Sequence, residues 1–191
     1  MKNEIKTIDL FCGIGGIRLG FEAAGADCVW ANDNNRYSAV TYTENFGTAG
    51  FHPGDIREVK SEDIPNFNIL CGGFPCQPFS IAGVSKKKSL NKPHGFQDET
   101  QGTLFYEIVR IVKDKKPDAF FLENVKNLER HDNGRTFEVI KGSLEELGYS
   151  FYYKVINAKS LVPQNRERIY MVGFRDRTID FEFPEIPELN T

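Results

Sequence analysis

No apolar run in these 191 residues approaches the length of a membrane span. The opening Met1-Lys2-Asn3-Glu4 has no secretory-leader pattern, so a cytoplasmic location is the expectation. Cysteine is scarce: Cys12, Cys28, Cys71 and Cys76 form no Cys-x-x-Cys pair, and His52, His94 and His131 lie near none of them. That spacing matches no zinc ligand set, and no metal is expected. A chain of this length needs no disulfide staples, so the thiols are read as reduced. Internal repeats and low-complexity tracts are absent. A basic excess is absent too: 24 Lys and Arg against 27 Asp and Glu give a net charge of −3. That balance argues against a nucleic-acid partner unless the positive charge is gathered locally. What remains, 40% hydrophobic and 27% charged, is the composition of one soluble globular domain.

Strand-like and helix-like segments alternate along the chain. Ile5 to Phe11 reads as a buried strand, followed by the glycine turn Cys12 to Gly16 and an amphipathic helix over Ile17 to Ala24. A second strand, Cys28 to Ala31, ends at Asn32-Asp33, and helical spacing runs from Tyr37 to Phe46 with Gly47 as its stop. A loop ending in Gly54-Asp55-Ile56 marks the end of a third strand position. Phe67 to Cys71 forms the next strand. Helices are expected at Thr103 to Lys113 and Arg135 to Leu147, and strands at Ala119 to Leu122, Tyr149 to Ile156 and Arg168 to Phe174. This rhythm predicts an α/β fold with a doubly wound, mostly parallel sheet.

In such folds, ligands sit beyond the carboxyl ends of the strands. Every unusual cluster falls there: the glycines after the first strand, Asp33 after the second and Asp55 after the third. The Cys76 loop follows the fourth and Glu123 the fifth. Gly13-Ile14-Gly15-Gly16-Ile17-Arg18 lacks the third glycine of the dinucleotide fingerprint, because Arg18 stands there. Asp33, 18 residues after Gly15, is where a carboxylate accepts from ribose hydroxyls. Asp55 is suited to accept from an adenine amino group, with Ile56 or Phe11 against the ring. No Gly-Lys-Ser/Thr is present for a triphosphate. An adenosine carrying something other than phosphates is favoured.

Gly72-Gly73-Phe74-Pro75-Cys76-Gln77-Pro78-Phe79-Ser80 is an expensive way to build an ordinary turn and a sensible way to hold one thiol rigidly. A free thiol with a pKa near 8.5 is only ~3% ionised at neutral pH, so a catalytic Cys76 needs an activating setting. Glu123 closes the next strand, either facing that thiol or capping the turn that follows. In Gln164-Asn165-Arg166-Glu167-Arg168 the two arginines share a face if the segment is extended, and otherwise form a solvated edge.

Taken together, these clusters resemble the DNA (cytosine-5) methyltransferases, with the bacterial restriction–modification branch of the HhaI type nearest. Asp9-Leu10-Phe11-Cys12-Gly13-Ile14-Gly15-Gly16 is similar to their cofactor motif, and Gly72 to Ser80 to their Pro-Cys motif. Glu123-Asn124-Val125, Gln164 to Arg168 and Gly102-Thr103-Leu104-Phe105 match three further blocks in the family's order. The resemblance implies a Rossmann-like fold and S-adenosylmethionine (leaving as S-adenosylhomocysteine) held by Phe11, Gly13, Gly15, Asp33, Asp55, Ile56, Pro75 and Leu104. It implies that Cys76 adds to C6 of a flipped-out cytosine in double-stranded DNA. Glu123 then engages N3 and the exocyclic amine, Arg168 the base carbonyl, and Arg166 a phosphate or the catalytic loop. Residues 81–101 would be a mobile loop closing over the base. Its Lys86, Lys87, Lys88 and Lys92, beside Ser80 and Ser85, would meet phosphates and answer the charge objection; the alternative is a solvated lysine run.

The chain departs from the family pattern in two places. Gln101 stands where the family commonly has arginine. Beyond Pro184 to Thr191 the family continues into a target-recognition domain and a final helix beside the cofactor motif. Residues 1–191 therefore read as a catalytic domain whose DNA is delivered by a missing half, on the same or a second chain. Two alternatives stand beside this reading: the tRNA-acting branch of the same chemistry, and a cofactor-binding subunit without turnover.

Overall fold

The computed structural model describes residues 5–75 and 104–186. Its elements run β1 (Lys6–Leu10), α1 (Gly16–Ala23), β2 (Asp27–Asp33), α2 (Arg36–Phe46), β3 (Phe51–Pro53) and β4 (Ile69–Gly72). They continue with α3 (Leu104–Lys115), β5 (Ala119–Val125), α4 (Arg135–Glu146), β6 (Tyr152–Asn157) and β7 (Glu167–Phe174). The strands form a sheet in the order β3-β2-β1-β4-β5-β7-β6. Neighbours from β3 across to β5 are parallel, whereas β7 runs antiparallel to both β5 and β6. This is the doubly wound, mostly parallel α/β fold that the sequence rhythm predicts.

Most boundaries shift by one to three residues from that expectation, and two features have a visible cause. The third strand is only three residues long, because Gly50 and Gly54 on either side adopt positive φ. The side chain of Asn32 extends the pairing there, its Nδ2 donating to the carbonyls of His52 and Gly54. The strand expected from Tyr149 begins at Tyr152, since Tyr149 is buried in the core with its hydroxyl donating 2.6 Å to Pro117 O.

Strand alternation sorts the helices onto two faces. Phe121 meets Phe21 of α1 edge-on at 5.3 Å, while its neighbour Phe120 packs with Tyr149 and Phe151, and Phe151 with Phe137 of α4. The α3/α4 face holds the main core: Phe105, Ile108, Ile111, Val112, Ile140 and Leu144 are all buried against Leu70, Phe120 and Leu122. The α1/α2 face is thinner, with a small cluster of Cys12, Cys28, Ala31 and Tyr42. Helix α1 buries none of its side chains, and Gly16, Leu19, Gly20 and Ala23 lie exposed along it at helical spacing. Arg18 ties it down, its Nη1 donating to Tyr42 Oη at 2.9 Å, its Nε to Glu22, and its guanidinium lying over the Phe46 ring.

Among the described residues, no helix is long and apolar enough to cross a membrane, and no group of three or more His, Cys, Asp or Glu is placed to hold a metal ion. Cys12, Cys28 and Cys71 are free and buried.

Candidate active site

The parallel strands bring their carboxyl ends to one edge, and the glycine turn leaves β1 at that edge. Phe11, Gly13 and Gly15 all adopt positive φ there, and the turn closes with Gly15 N–H donating 2.8 Å to Cys12 O. Gly15 is the N-cap of α1 and supplies no capping side chain, so main-chain N–H groups at the helix start face the turn. A methyl group on Gly15 would run into the Phe46 ring, which closes that side of the turn.

Asp33, at the end of β2, accepts from Gly13 N–H at 2.8 Å and from Asn35 N–H at 2.7 Å. It locks the two loops together while keeping lone pairs free. Asp55 follows β3 and caps the short 3-10 turn Ile56–Glu58. Its carboxylate accepts from the main chain and the guanidinium fork of Arg57, and these bonds pull its pKa down to about 2. Ile56 beside it is buried, and Leu104, at the start of α3, is half-buried.

Asp9 is the second feature beneath the glycine turn. It is buried, and among the described residues neither carboxylate oxygen makes a well-formed hydrogen bond, the Arg18 main-chain N–H interacting with it only weakly. Burial raises its pKa to about 7; the Arg18 main-chain N–H and charge only partly oppose this, and Asp33 adds to it. Burial likewise pushes the Cys12 and Cys71 thiols up, with Asp9 adding to both. These two cysteines are poor nucleophiles.

Glu123 lies near the end of β5 and is not a helix cap: Val125 holds that position before the 3-10 turn Lys126–Arg130. Instead, Glu123 Oε1 forms ion pairs with Arg168 Nε at 2.9 Å and Arg166 Nη2 at 3.7 Å. The antiparallel direction of β7 explains this meeting. Its amino end lies at the same edge as the carboxyl ends of the parallel strands, so the arginines reach the site from the start of β7. Arg168 pairs in register with Val125 and lies diagonally across from Glu123. Asn157 pins the entry to β7, its Oδ1 accepting from Arg166 N–H at 3.2 Å and its Nδ2 donating to Asn165. The other carboxylate oxygen of Glu123 faces Gly73, where an added Cβ would lie 3.5 Å from Oε2. The backbone that leads into Pro75 therefore runs within van der Waals reach of the acid.

Asn124, which sequence reasoning noted only as part of a motif, points to the opposite face and is 2% exposed. Its Nδ2 donates 2.8 Å to Phe74 O, and its Oδ1 accepts from Val125 N–H. Phe74 is in turn packed on Phe105 of α3. The segment entering Pro75 is therefore gripped from β5 and α3, and Pro75 itself is exposed. Cys76, Ser80, Ser85, Lys86, Lys87, Lys88 and Lys92, the expected loop 81–101, and Gln101 to Thr103 lie outside the described residues.

Of the expected site residues, Gly13 and Asp33 meet after β1 and β2, Asp55 and Ile56 follow β3, Pro75 follows β4, Leu104 opens α3, and Glu123 meets Arg166 and Arg168 between β5 and β7. Comparison with known proteins agrees with the architecture. Residues 5–190 match the model of the C-5 cytosine-specific DNA methylases. The chain is 54% identical to the type II methyltransferase M.HaeII of Haemophilus aegyptius, covering 95% of this chain and 54% of that protein. It is 50% identical to M.HhaI of Haemophilus parahaemolyticus, covering 98% and 55%. The solved structure of a putative DNA modification methyltransferase from an Escherichia coli prophage has the same fold, with a TM-score of 0.74 at 22% identity over 94% of this chain and 49% of that one. The chain spans about half the length of the curated relatives it matches. By motif order, by fold and by the extent of the match, it belongs to the C-5 cytosine-specific DNA methylase family.

Proposed function

We propose that this chain is the catalytic lobe of an enzyme that methylates C5 of cytosine in double-stranded DNA. The observation that carries the reading is Glu123, held by Arg168 on one oxygen and facing Gly73, three residues before Cys76, with the other. Cys76 in this reading is the nucleophile. Its sulfur forms a bond to C6 of a flipped-out cytosine and gives up its proton, which turns the ring into an enamine able to react at C5. Glu123 Oε2 passes a proton to N3 as negative charge builds there and its carboxyl group accepts from the exocyclic amine, while Arg168 holds Glu123 and reaches the base carbonyl. Loss of the C5 proton then breaks the C6–sulfur bond and frees Cys76. Arg166 is more exposed than Arg168 and serves a phosphate, as do Ser80, Ser85, Lys86, Lys87 and Lys88 of the 81–101 loop.

The residues after β1, β2 and β3 fit S-adenosylmethionine, which would supply the electrophilic methyl group. The uncapped start of α1 suits the carboxylate of an amino-acid tail. Asp33, with lone pairs to spare, suits the ribose hydroxyls. Asp55 stays ionised at every working pH and is an acceptor for the adenine amine, with Ile56, Phe11 and Leu104 for the ring and Pro75 beside the reacting end. The apolar stripe Gly16, Leu19, Gly20 and Ala23 supports a further part of the reading: a complementary half carrying the target-recognition domain packs there, from the same or a second chain. We place the enzyme in the bacterial cytoplasm.

The test is trapping with DNA containing 5-fluorocytosine, in the presence of S-adenosylmethionine and the C-terminal half of one of the relatives supplied as a separate fragment. A covalent adduct that Cys76→Ser abolishes is expected. No adduct in the complemented system refutes the reading, and methyl transfer to tRNA instead of DNA replaces it with the RNA-acting alternative.

A further inference from the structure

We propose that Arg110 is a positioning residue of the cofactor pocket, fixing the Asp55-Ile56 turn relative to the start of α3. The inference rests on the reading of Asp55, Ile56 and Leu104 as the adenine end of that pocket. The connection from β3 to β4 consists of two 3-10 turns, Ile56–Glu58 and Ser61–Asp63, with no strand to pair with. Each turn closes on its own backbone hydrogen bonds, and side chains of α3 reach the carbonyls of Ile56, Val59 and Ile64. Arg110 Nη2 donates 3.2 Å to Ile56 O and 2.9 Å to Val59 O, and Nη1 donates 2.8 Å to Ser61 Oγ. Nε donates 2.8 Å to Glu107, which holds the fork in place from the preceding turn of the helix. Ser61 passes its own proton on to Asp114, 2.6 Å away, and Lys115 donates to Ile64 O.

One guanidinium thus joins three points of this connection, Ile56, Val59 and Ser61, to the helix whose first residue is Leu104. Leu104 and Arg110 are six residues apart on α3, or about 9 Å along its axis. Ile56 is buried and opens the short 3-10 turn that Asp55 caps, so a shift of its carbonyl would carry the neighbouring carboxylate with it. An adenine ring resting between Ile56 and Leu104 with its amine on Asp55 would be gauged by this one link. Lysine cannot replace it, since an ammonium is a point charge and not a planar fork able to serve two carbonyls and a hydroxyl together.

The experiment compares binding of S-adenosylhomocysteine and its 6-oxo (hypoxanthine) analogue by titration calorimetry, using the wild-type chain, Arg110→Lys, Ser61→Ala and Asp55→Ala. Wild type should prefer the amine, and Asp55→Ala should lose the preference. Arg110→Lys should bind S-adenosylhomocysteine at least tenfold more weakly, with its preference for the amine falling towards one, and Ser61→Ala should show a smaller change in the same direction. A merely structural Arg110 would lower the melting temperature and leave the preference intact. An unchanged preference in Arg110→Lys, or in Ser61→Ala if the first variant does not fold, overturns the inference and leaves the pocket standing. No binding by wild type even with the C-terminal half of a relative supplied, or an unchanged preference in Asp55→Ala, refutes the pocket itself and the inference with it.

Discussion

Asp9 offers the sharpest test of the electrostatics beneath the glycine turn. Its pKa is displaced from 3.8 to about 7 because burial strips the charged form of water, and among the described residues only a weak interaction with the Arg18 N–H and its charge opposes this. In the unfolded chain the group ionises near 3.8; in the folded chain it keeps its proton to about 7. Between those values the folded state binds more protons, so stability falls as pH rises through that window and levels off above it. At roughly 1.4 kcal/mol per pH unit the full penalty is about 4 kcal/mol. Asp9→Asn keeps the shape, cannot ionise and leaves Arg18 N–H an oxygen to face, but its buried amide goes unpaired at a cost of about 1–3 kcal/mol. The net expectation is that the variant is more stable than wild type by about 2 kcal/mol at pH 8, or roughly 5 °C in melting temperature for a chain of this size. The advantage should vanish below about pH 5. Urea unfolding of both proteins from pH 4 to 8.5 measures it, and the difference between the curves removes the histidines and other shared groups. A pH-independent difference, or a variant no more stable at pH 8, would refute the assignment of Asp9 as a destabilising buried acid.

Asn124→Asp keeps the acceptor for Val125 N–H but turns an oxygen towards Phe74 O, so it should cost about 3 kcal/mol or more; equilibrium urea unfolding reads this, and a loss below about 1 kcal/mol would show that the clamp is dispensable. Gly15→Ala forces a side chain into left-handed backbone and against Phe46, and should destabilise by more than about 1 kcal/mol. A double-mutant cycle with Phe46→Ala should show coupling, because the ring is what the methyl meets. Arg57→Ala removes both the fork and its charge from Asp55, whose carboxyl titration, followed by carbon NMR, should return from about 2 towards the ordinary aspartate range. The stability that this pair provides is present above the unfolded pKa and lost as pH falls through the folded one, so the variant should differ from wild type only at neutral and mildly acidic pH, not below about pH 2.

Much of this site is visible in the sequence because its residues sit where strands end. The glycines after β1, Asp33 after β2 and Glu123 near the end of β5 are each displayed by a period-two pattern followed by a breaker. The arginine pair is visible for the same reason, since residues two apart share a face. The direction of β7 is not visible there, and that direction is why residues at the start of a strand meet others at the end of one. Nor is β3, whose three residues are too few to show a period. Arg110 lies on the polar side of a helix with good apolar spacing and reads as solvated until the turn that it grips comes into view. Asp9 stands within a strand of buried residues, where nothing in the local pattern separates a paired acid from an orphaned one.

Helix α1, eight residues long with no fully buried side chain, is held by Arg18, the Asp33-bound turn and the edge-on contact of Phe21 with Phe121. Its local opening should therefore require less free energy than that of α3 or α4, and its amides should exchange ahead of theirs. Both a cofactor at its first turn and a polypeptide over Gly16, Leu19, Gly20 and Ala23 would bind only the closed helix. Two ligands that stabilise one element are thermodynamically linked, and each raises the affinity of the other by the same factor. Saturating the lobe with S-adenosylhomocysteine should therefore tighten its grip on the complementary half by the factor that the half adds to cofactor binding. Assembly and loading of the active site would then be one equilibrium seen from two sides.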